Sequence, residues 1–281
     1  MQDFEPASLF PYTALPDRLP VKWAGDARIA VWVVPNIEHF HLELGAKTPD
    51  VRNYSRRDYG NRVGVWRLME CLSKAGIRGT VALNGEVARH YPRIMQACTD
   101  LRWEFMGHGL TNSIVLAGME KPLEAETISA TRAVIEAHGQ KMRGWLGPGL
   151  TETWNTLDLL AAEGVDYVAD WVNDDLPYRM NNGLYSIPYS LELNDMPLFN
   201  NPSISTHDFE MRIRETFDVL YEEGEAMPRV LCIALHPFLT GVPHRIRALD
   251  RALQHIAGHD RVWLATGSEI IDAWRSAKGT I

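Results

Sequence analysis

Cysteine is scarce. Only 3 of 281 residues carry a thiol, and Cys71, Cys98 and Cys232 lie far apart inside apolar stretches. An odd, scattered set excludes a disulfide framework and a cysteine metal cluster, so the thiols are expected in the core. Long hydrophobic runs are missing too, and no segment reaches the roughly 20 apolar residues of a membrane-spanning helix. The first residues, MQDFEPASLFPY, carry acids where a secretory leader carries bases, so a cytoplasmic location is the expectation. Basic patches are also lacking. Lysine and arginine number 28 against 36 acids, for a net charge of -8, and they are scattered singly. Neither nucleic acid nor an anionic membrane is therefore an expected partner. There is no G-x-S-x-G elbow, P-loop, C-x-x-C or dinucleotide fingerprint to support serine-hydrolase, nucleotide or redox chemistry.

What the chain does have is alternation. Residues 29–34 are a nearly unbroken, β-branched apolar run, the pattern of a strand buried on both faces of a parallel sheet. Pro35 reads as its end, and Asn36, Glu38, His39 and His41 follow where the strand would open to solvent. Strand patterns recur at 80–83, 103–106, 142–146, 167–169, 184–187, 230–235 and 262–265, with helical patterns between most of them. TPDVRNYSRRDYGNR, after the first strand, reads as a polar loop. Such alternation without a linker predicts one distorted (β/α)7-8 TIM-like barrel over 28–281, preceded by a proline-rich arm at 1–27. An open doubly wound sheet is the alternative. Glu38, Asn84, His108, Asp170 and His236 each follow the C-terminal end of a predicted strand, and a barrel would gather them at one mouth.

The order of motifs resembles the polysaccharide deacetylase (NodB-homology) family, distorted (β/α) barrels that hydrolyse amide C–N bonds. The likeness runs from about residue 28 to 274. It is greatest to the allantoinase-like branch, through YGNRVGVWRLME, the single histidine of GHG, ADWVNDDLPY and IPYSLELNDM. The resemblance implies that Glu38 in NIEHF is the general base, alone where the family keeps two acids, with His39 or Asn36 in the second place. A desolvated carboxylate there would have its basicity raised toward neutrality. In MGHGLTNS the family's His pair becomes His108 and Asn112; in MRGWLGPG Pro148 is kept, but Leu146 replaces the arginine that clamps the catalytic acid. Trp145 and Pro148 would wall the pocket, Asp170 and Trp171 match the family's Asp-Trp pair, and Asp174, Asp175 and Asn194 would contact substrate. His236 in IALHP resembles the histidine that protonates the leaving nitrogen.

Two site models follow. In one, Glu38, His108 and His39 hold zinc or another divalent metal; in the other there is no metal, and His108 and Asn112 help to stabilise the oxyanion. The expectation is that His39 and His41 face opposite ways, so that at most one enters the mouth, and His39 is the choice. His90, His138, His207, His244, His255 and His259 read as caps or solvated residues. The function expected is hydrolysis of a small cyclic amide, imide, ureide or N-acyl compound by a homo-oligomer. A metal-dependent N-acetyl sugar deacetylase and a non-catalytic, ligand-binding barrel are the alternatives.

Overall fold

Nine consecutive buried residues, Ile29–Ile37, form β1, and the sheet grows from it on both sides. In the computed structural model, which describes residues 5–43 and 48–278, β1 runs parallel to β8 (Arg229–Leu235), from Ile29 opposite Arg229 to Pro35 opposite Leu235. Its other side is shared. At the base Ile29, Ala30 and Val31 pair with β9 (Val262–Leu264), and at the top Asn36 and Ile37 pair with β2 (Thr80–Leu83). Pro35 therefore does not end the strand. Val31 and Ile37, of the same parity, accept from Ala265 N and Asn84 N, so the N–H that Pro35 lacks would face the side where β9 stops and β2 begins. A proline costs little ladder bonding at such a changeover.

The sheet continues in parallel through β3 (Glu104–Gly107), β4 (Gly144–Trp145) and β5 (Tyr167–Val168) to β7 (Tyr185–Ser186), with β6 (Tyr178–Arg179) antiparallel at the edge. Beyond β8, Asn194 bridges to Ala234 and Val230 N donates to Asp175 O, so irregular chain completes the curl. This is the distorted (β/α) barrel that the alternation predicts. Parity divides its core. Val31, Val33, Val81, Phe105, Trp145 and Leu231 belong to the layer under the helices, while Ala30, Trp32, Val34, Ala82, Met106, Leu146 and Cys232 fill the barrel. The inward parity continues past the strand ends into Glu38, Asn84, His108 and His236. The three cysteines are free and buried. No helix among the described residues is long and apolar enough to cross a membrane.

One segment departs from expectation. The polar loop is a helix, α1 (Val51–Tyr59), capped by the Asp50 side chain, which accepts from Asn53 N; a π-turn, Gly60–Gly64, then leads into α2 (Val65–Lys74). No residue of α1 is buried, so it has no apolar stripe to betray it. The arm takes 3-10 turns at Pro6–Ser8, Leu15–Asp17 and Ala24–Asp26 and lies on its own barrel. The ring of Phe10 packs against Trp171 at 5.2 Å and Tyr178 at 5.3 Å, and Arg18 pairs with Asp174 at 2.6 Å.

The π-turn brings backbone against backbone. A Cβ at Gly60 would lie 2.8 Å from Phe238 N, and one at Gly64 would lie 2.0 Å from Pro237 O, in the loop that follows β8. Gly64→Ala should therefore lower the free energy of unfolding by about 3 kcal/mol, the upper end of ordinary overpacking, as read by chemical denaturation.

Candidate active site

Glu38 lies just beyond β1 and is buried, and its carboxylate is the meeting point of four elements. Asn112, from the loop after β3, donates its amide Nδ2 to Oε1. His108 Nε2 is 3.6 Å and His236 Nε2 3.5 Å from the same oxygen. Oε2 is buried with no hydrogen-bond partner, and Arg57 Nη1 of α1 lies 3.9 Å from it. The π-turn contributes Asn61, whose Nδ2 donates to Glu38 O at 2.8 Å. Arg57 is itself held between aromatic faces, 3.8 Å from the centre of the Phe40 ring and 5.1 Å from that of Phe238. Beside Glu38 is a cavity of about 10 Å³, room for one water, lined by Phe40, Tyr54, Arg57, Asp58, Asn61 and Tyr91.

After α3 (Gly85–His90) the chain forms α4 (Pro92–Asp100), α5 (Lys121–Ala137) and α6 (Thr156–Ala162), and His236 is fixed from behind by Asp195, the first residue of α7 (Asp195–Asn200). Asp195 Oδ1 is 2.7 Å from His236 Nδ1, and Oδ2 accepts from His236 N at 2.8 Å and from Thr240 Oγ1 at 2.5 Å. The Asp195 carboxylate accepts the Nδ1 proton, so Nε2 faces Glu38 and carries a second proton when the ring is an imidazolium. Burial alone would push the Glu38 carboxyl up, but the positive His236 holds it well below the usual carboxylate range. Burial likewise works against a charged His236, yet Glu38 and Asp195 hold its imidazole well above the usual value. The expected rise in Glu38 basicity is thus reversed: the neighbouring charge outweighs desolvation.

His108 Nδ1 lies 2.6 Å from Leu146 O. A carbonyl only accepts, so Nδ1 carries the proton and Nε2 presents a lone pair, buried and without a hydrogen-bond partner. Asn84, at the end of β2, knits the floor together: its Oδ1 accepts from His39 N at 2.9 Å, and its Nδ2 donates to His108 O and to Asn112 Oδ1. Pro148 packs beside this histidine, since a Cβ at Gly109 would sit 2.8 Å from its Cγ.

Several sequence-predicted residues lie elsewhere. Asn36 is inside the barrel, its Nδ2 donating to Val34 O and Tyr189 OH, both at 3.2 Å, so its amide is committed below the mouth. Trp145 has the outward parity and packs under the helices. Asp174 pairs with Arg18, and Asp175 O accepts from Val230 N at the base of β8, roughly 20 Å along the strand from His236. Asn194 caps α7 by accepting from Met196 N. Asn112 gives one of its two amide N–H groups to Glu38 and accepts from Asn84 through Oδ1. Asp170 and Trp171 sit on the rim: Asp170 Oδ1 accepts from Gly147 N at 2.8 Å, and Trp171 Nε1 donates to Glu152 Oε1 at 3.2 Å. Burial and the adjacent Glu152 hold the Asp170 carboxyl well above its usual range. Glu152 and Trp171 help to line a separate cavity of about 830 Å³.

His39 turns away as well. Its ring stacks on His90, at the end of α3 (Gly85–His90), with centroids 4.6 Å apart and planes within 4°. His41 is beside it at 5.7 Å, because residues two apart in extended chain share a face; the expectation of opposite faces was mistaken. With His39 absent and Asn112 presenting its NH₂, the mouth offers a metal two donors, Glu38 and His108. Zinc centres draw on at least three protein ligands, so this donor set does not fit one. Among the described residues, the group of three side chains able to hold an ion is Asp218, His255 and His259, on the outer helices.

Sequence reading missed two residues. Asp195 lies inside IPYSLELNDM, and its signal was available: a charged residue next to a helix cap, in a motif already matched. Arg57 gave none, because it sits in the segment taken for a loop.

The polysaccharide deacetylase family matches residues 47–168. A Schizosaccharomyces pombe protein named after those deacetylases is 31% identical over 244 residues, covering 79% of this chain and 75% of that one. A solved structure from Pseudomonas aeruginosa PAO1, assigned to the polysaccharide deacetylases, superposes with a TM-score of 0.84 at 30% identity, covering 92% of this chain and 95% of that one. The structure of PuuE allantoinase gives 0.82 at 29% identity, with 90% and 92% covered. Relatedness of that extent over nearly the whole barrel means that the chain belongs to the polysaccharide deacetylase family, hydrolases that act on carbon–nitrogen bonds.

Proposed function

We propose that the chain hydrolyses the amide C–N bond of a small cyclic amide, imide, ureide or N-acyl compound, with Glu38 as general base and His236 as general acid. One observation carries the reading: a buried carboxylate and a buried imidazolium, each held in the charge state its task requires, lie 3.5 Å apart at the barrel mouth. Glu38 Oε2, the oxygen without a partner, takes a proton from water as the water oxygen attacks the carbonyl carbon. The negative charge that develops on the carbonyl oxygen is met by the Arg57 guanidinium, 3.9 Å from Oε2. His236 then passes its Nε2 proton to the departing nitrogen, which would leave poorly as an anion. Asp195 touches no substrate and acts as a positioning residue that keeps the imidazole protonated and aimed. His108, whose only N–H is committed to Leu146 O, is no oxyanion donor; its Nε2 accepts from water or from a substrate N–H.

Enclosure supports a compact substrate. The helix α1 and its π-turn cover Glu38 through Arg57 and Asn61, unlike the open groove that a polymer chain needs. The likeness to an allantoinase supports the ureide end of the range. A hydrolysis screen over cyclic imides, ureides and N-acetyl sugars should find turnover among the small cyclic compounds, unchanged by dialysis against a chelator. Chelator-sensitive acetate release from chitooligosaccharides would assign a polysaccharide substrate instead.

On a substrate so found, Glu38→Gln and His236→Ala should each lower kcat by at least about 10²-fold with circular dichroism unchanged; a wild-type rate in either variant removes that residue from the mechanism. The pH profile follows from the two shifts. A lowered carboxyl pKa keeps Glu38 ionised as pH falls, so the acid limb should lie below the ordinary value of about 4.3. A raised imidazole pKa keeps His236 protonated as pH rises, so the alkaline limb should lie well above about 6.5. Asp195→Asn should move the alkaline limb down by at least about one unit, because it removes one of the two charges that raise His236; an unmoved limb would confine Asp195 to packing.

A further inference from the structure

Three side chains with metal-ligating atoms meet at the end of the barrel opposite the mouth. Asp218 belongs to α8 (Thr206–Glu223), His255 to the last turn of α9 (Pro243–Ala257), and His259 follows just beyond the helix. One carboxylate oxygen and two imidazole nitrogens from these residues lie within 4.8 Å of one another. Residues four apart project from one face at a helix end, and the two rings have centroids 4.9 Å apart.

The second nitrogen of His259 is committed in the way that prepares an imidazole for a metal. Its Nδ1 lies 2.9 Å from His255 O, so the proton is on Nδ1 and Nε2 keeps its lone pair. Aromatic edges fix both rings: Phe217 meets His255 at 5.8 Å and His259 at 5.0 Å, and Tyr221 meets His259 at 5.1 Å. His255 Nε2 lies 2.6 Å from Asp218 Oδ1 and shares a proton with it. Moving that proton to His255 Nδ1 leaves the imidazole neutral and frees the Nε2 lone pair, so that a cation can replace the proton between nitrogen and carboxylate.

We propose that Asp218, His255 and His259 form a site for a borderline first-row divalent cation, with zinc as its representative, clasping α8 to α9. Two imidazole nitrogens and one carboxylate oxygen suit such ions, whereas calcium and magnesium call for oxygen ligands. The two helices lie over β8, remote from Glu38, so the cation acts on stability and not on turnover.

The test uses the full chain, purified without a histidine tag and dialysed against a chelator. Calorimetric titration with zinc chloride at neutral pH should show saturable binding, and saturating zinc should raise Tm by about 5 °C. His259→Gln and His255→Gln should each weaken binding at least tenfold; Gln at 255 can still donate to Asp218, so the fold and its circular dichroism should be kept. His108→Gln should bind as the wild type does. Repeating the titration at pH 5 should also weaken binding at least tenfold, because protons compete with the cation for its ligands. No binding by the wild type, wild-type binding by His259→Gln, or binding lost with His108 would each overturn the proposal.

Discussion

A carboxylate can leave water only where charge and hydrogen bonds take the place of its hydration, and the burial of Glu38 imposes that condition on everything around it. His236 meets it as a cation, which requires Asp195; Asp195 in turn depends on the His236 backbone, on Thr240 and on the start of α7. Asn112 meets it as a donor, oriented by Asn84. Arg57 and Asn61 arrive on a helix that approaches closely because Gly60 and Gly64 leave room for the loop after β8. Removing one partner from a buried charge pair costs on the order of 3–5 kcal/mol. The site is therefore a folding constraint as much as a catalytic one.

Strand parity made much of this legible. Val34, Ala82, Met106 and Ala234 face inward, and counting by twos from them reaches Glu38, Asn84, His108 and His236. The same count would have turned Trp145 outward and put His39 and His41 on one side, so those two errors came from misapplied geometry and not from silence in the chain. Other features were hidden for physical reasons. A helix on the rim with no fully buried residue carries no apolar stripe, which concealed α1 and with it Arg57. The destinations of Asp174 and Asp175 depend on where an irregular segment crosses the barrel, and no local pattern encodes that. Pro35 read as a stop because its cost depends on which neighbour stands beside it.

The departures from the family motifs form a connected set. Leu146 stands where an arginine would clamp the catalytic acid, and its carbonyl instead fixes the tautomer of His108. A guanidinium reaches Glu38 from another part of the chain, through Arg57. Asn112 stands where a second imidazole would bind metal, and its amide donates to the carboxylate that the metal would otherwise have neutralised. Positive charge near Glu38 is thus supplied by side chains, in keeping with a mouth that offers a metal only two donors.

The position of β9 bears on how the chain is made. β1 forms early in synthesis, yet its lower flank is filled by residues 262–264 and its other flank by β8, both near the end of the sequence. A ribosome must deliver residues 229–264 before the first strand has all its neighbours, and until then a long apolar segment with open edges is exposed to other nascent chains. Such distant pairing carries a large loop-closure cost and slows folding. The strand that carries the general base is thus among the first to be translated and among the last to be enclosed, so early exposure to a chaperone would protect the region on which activity depends.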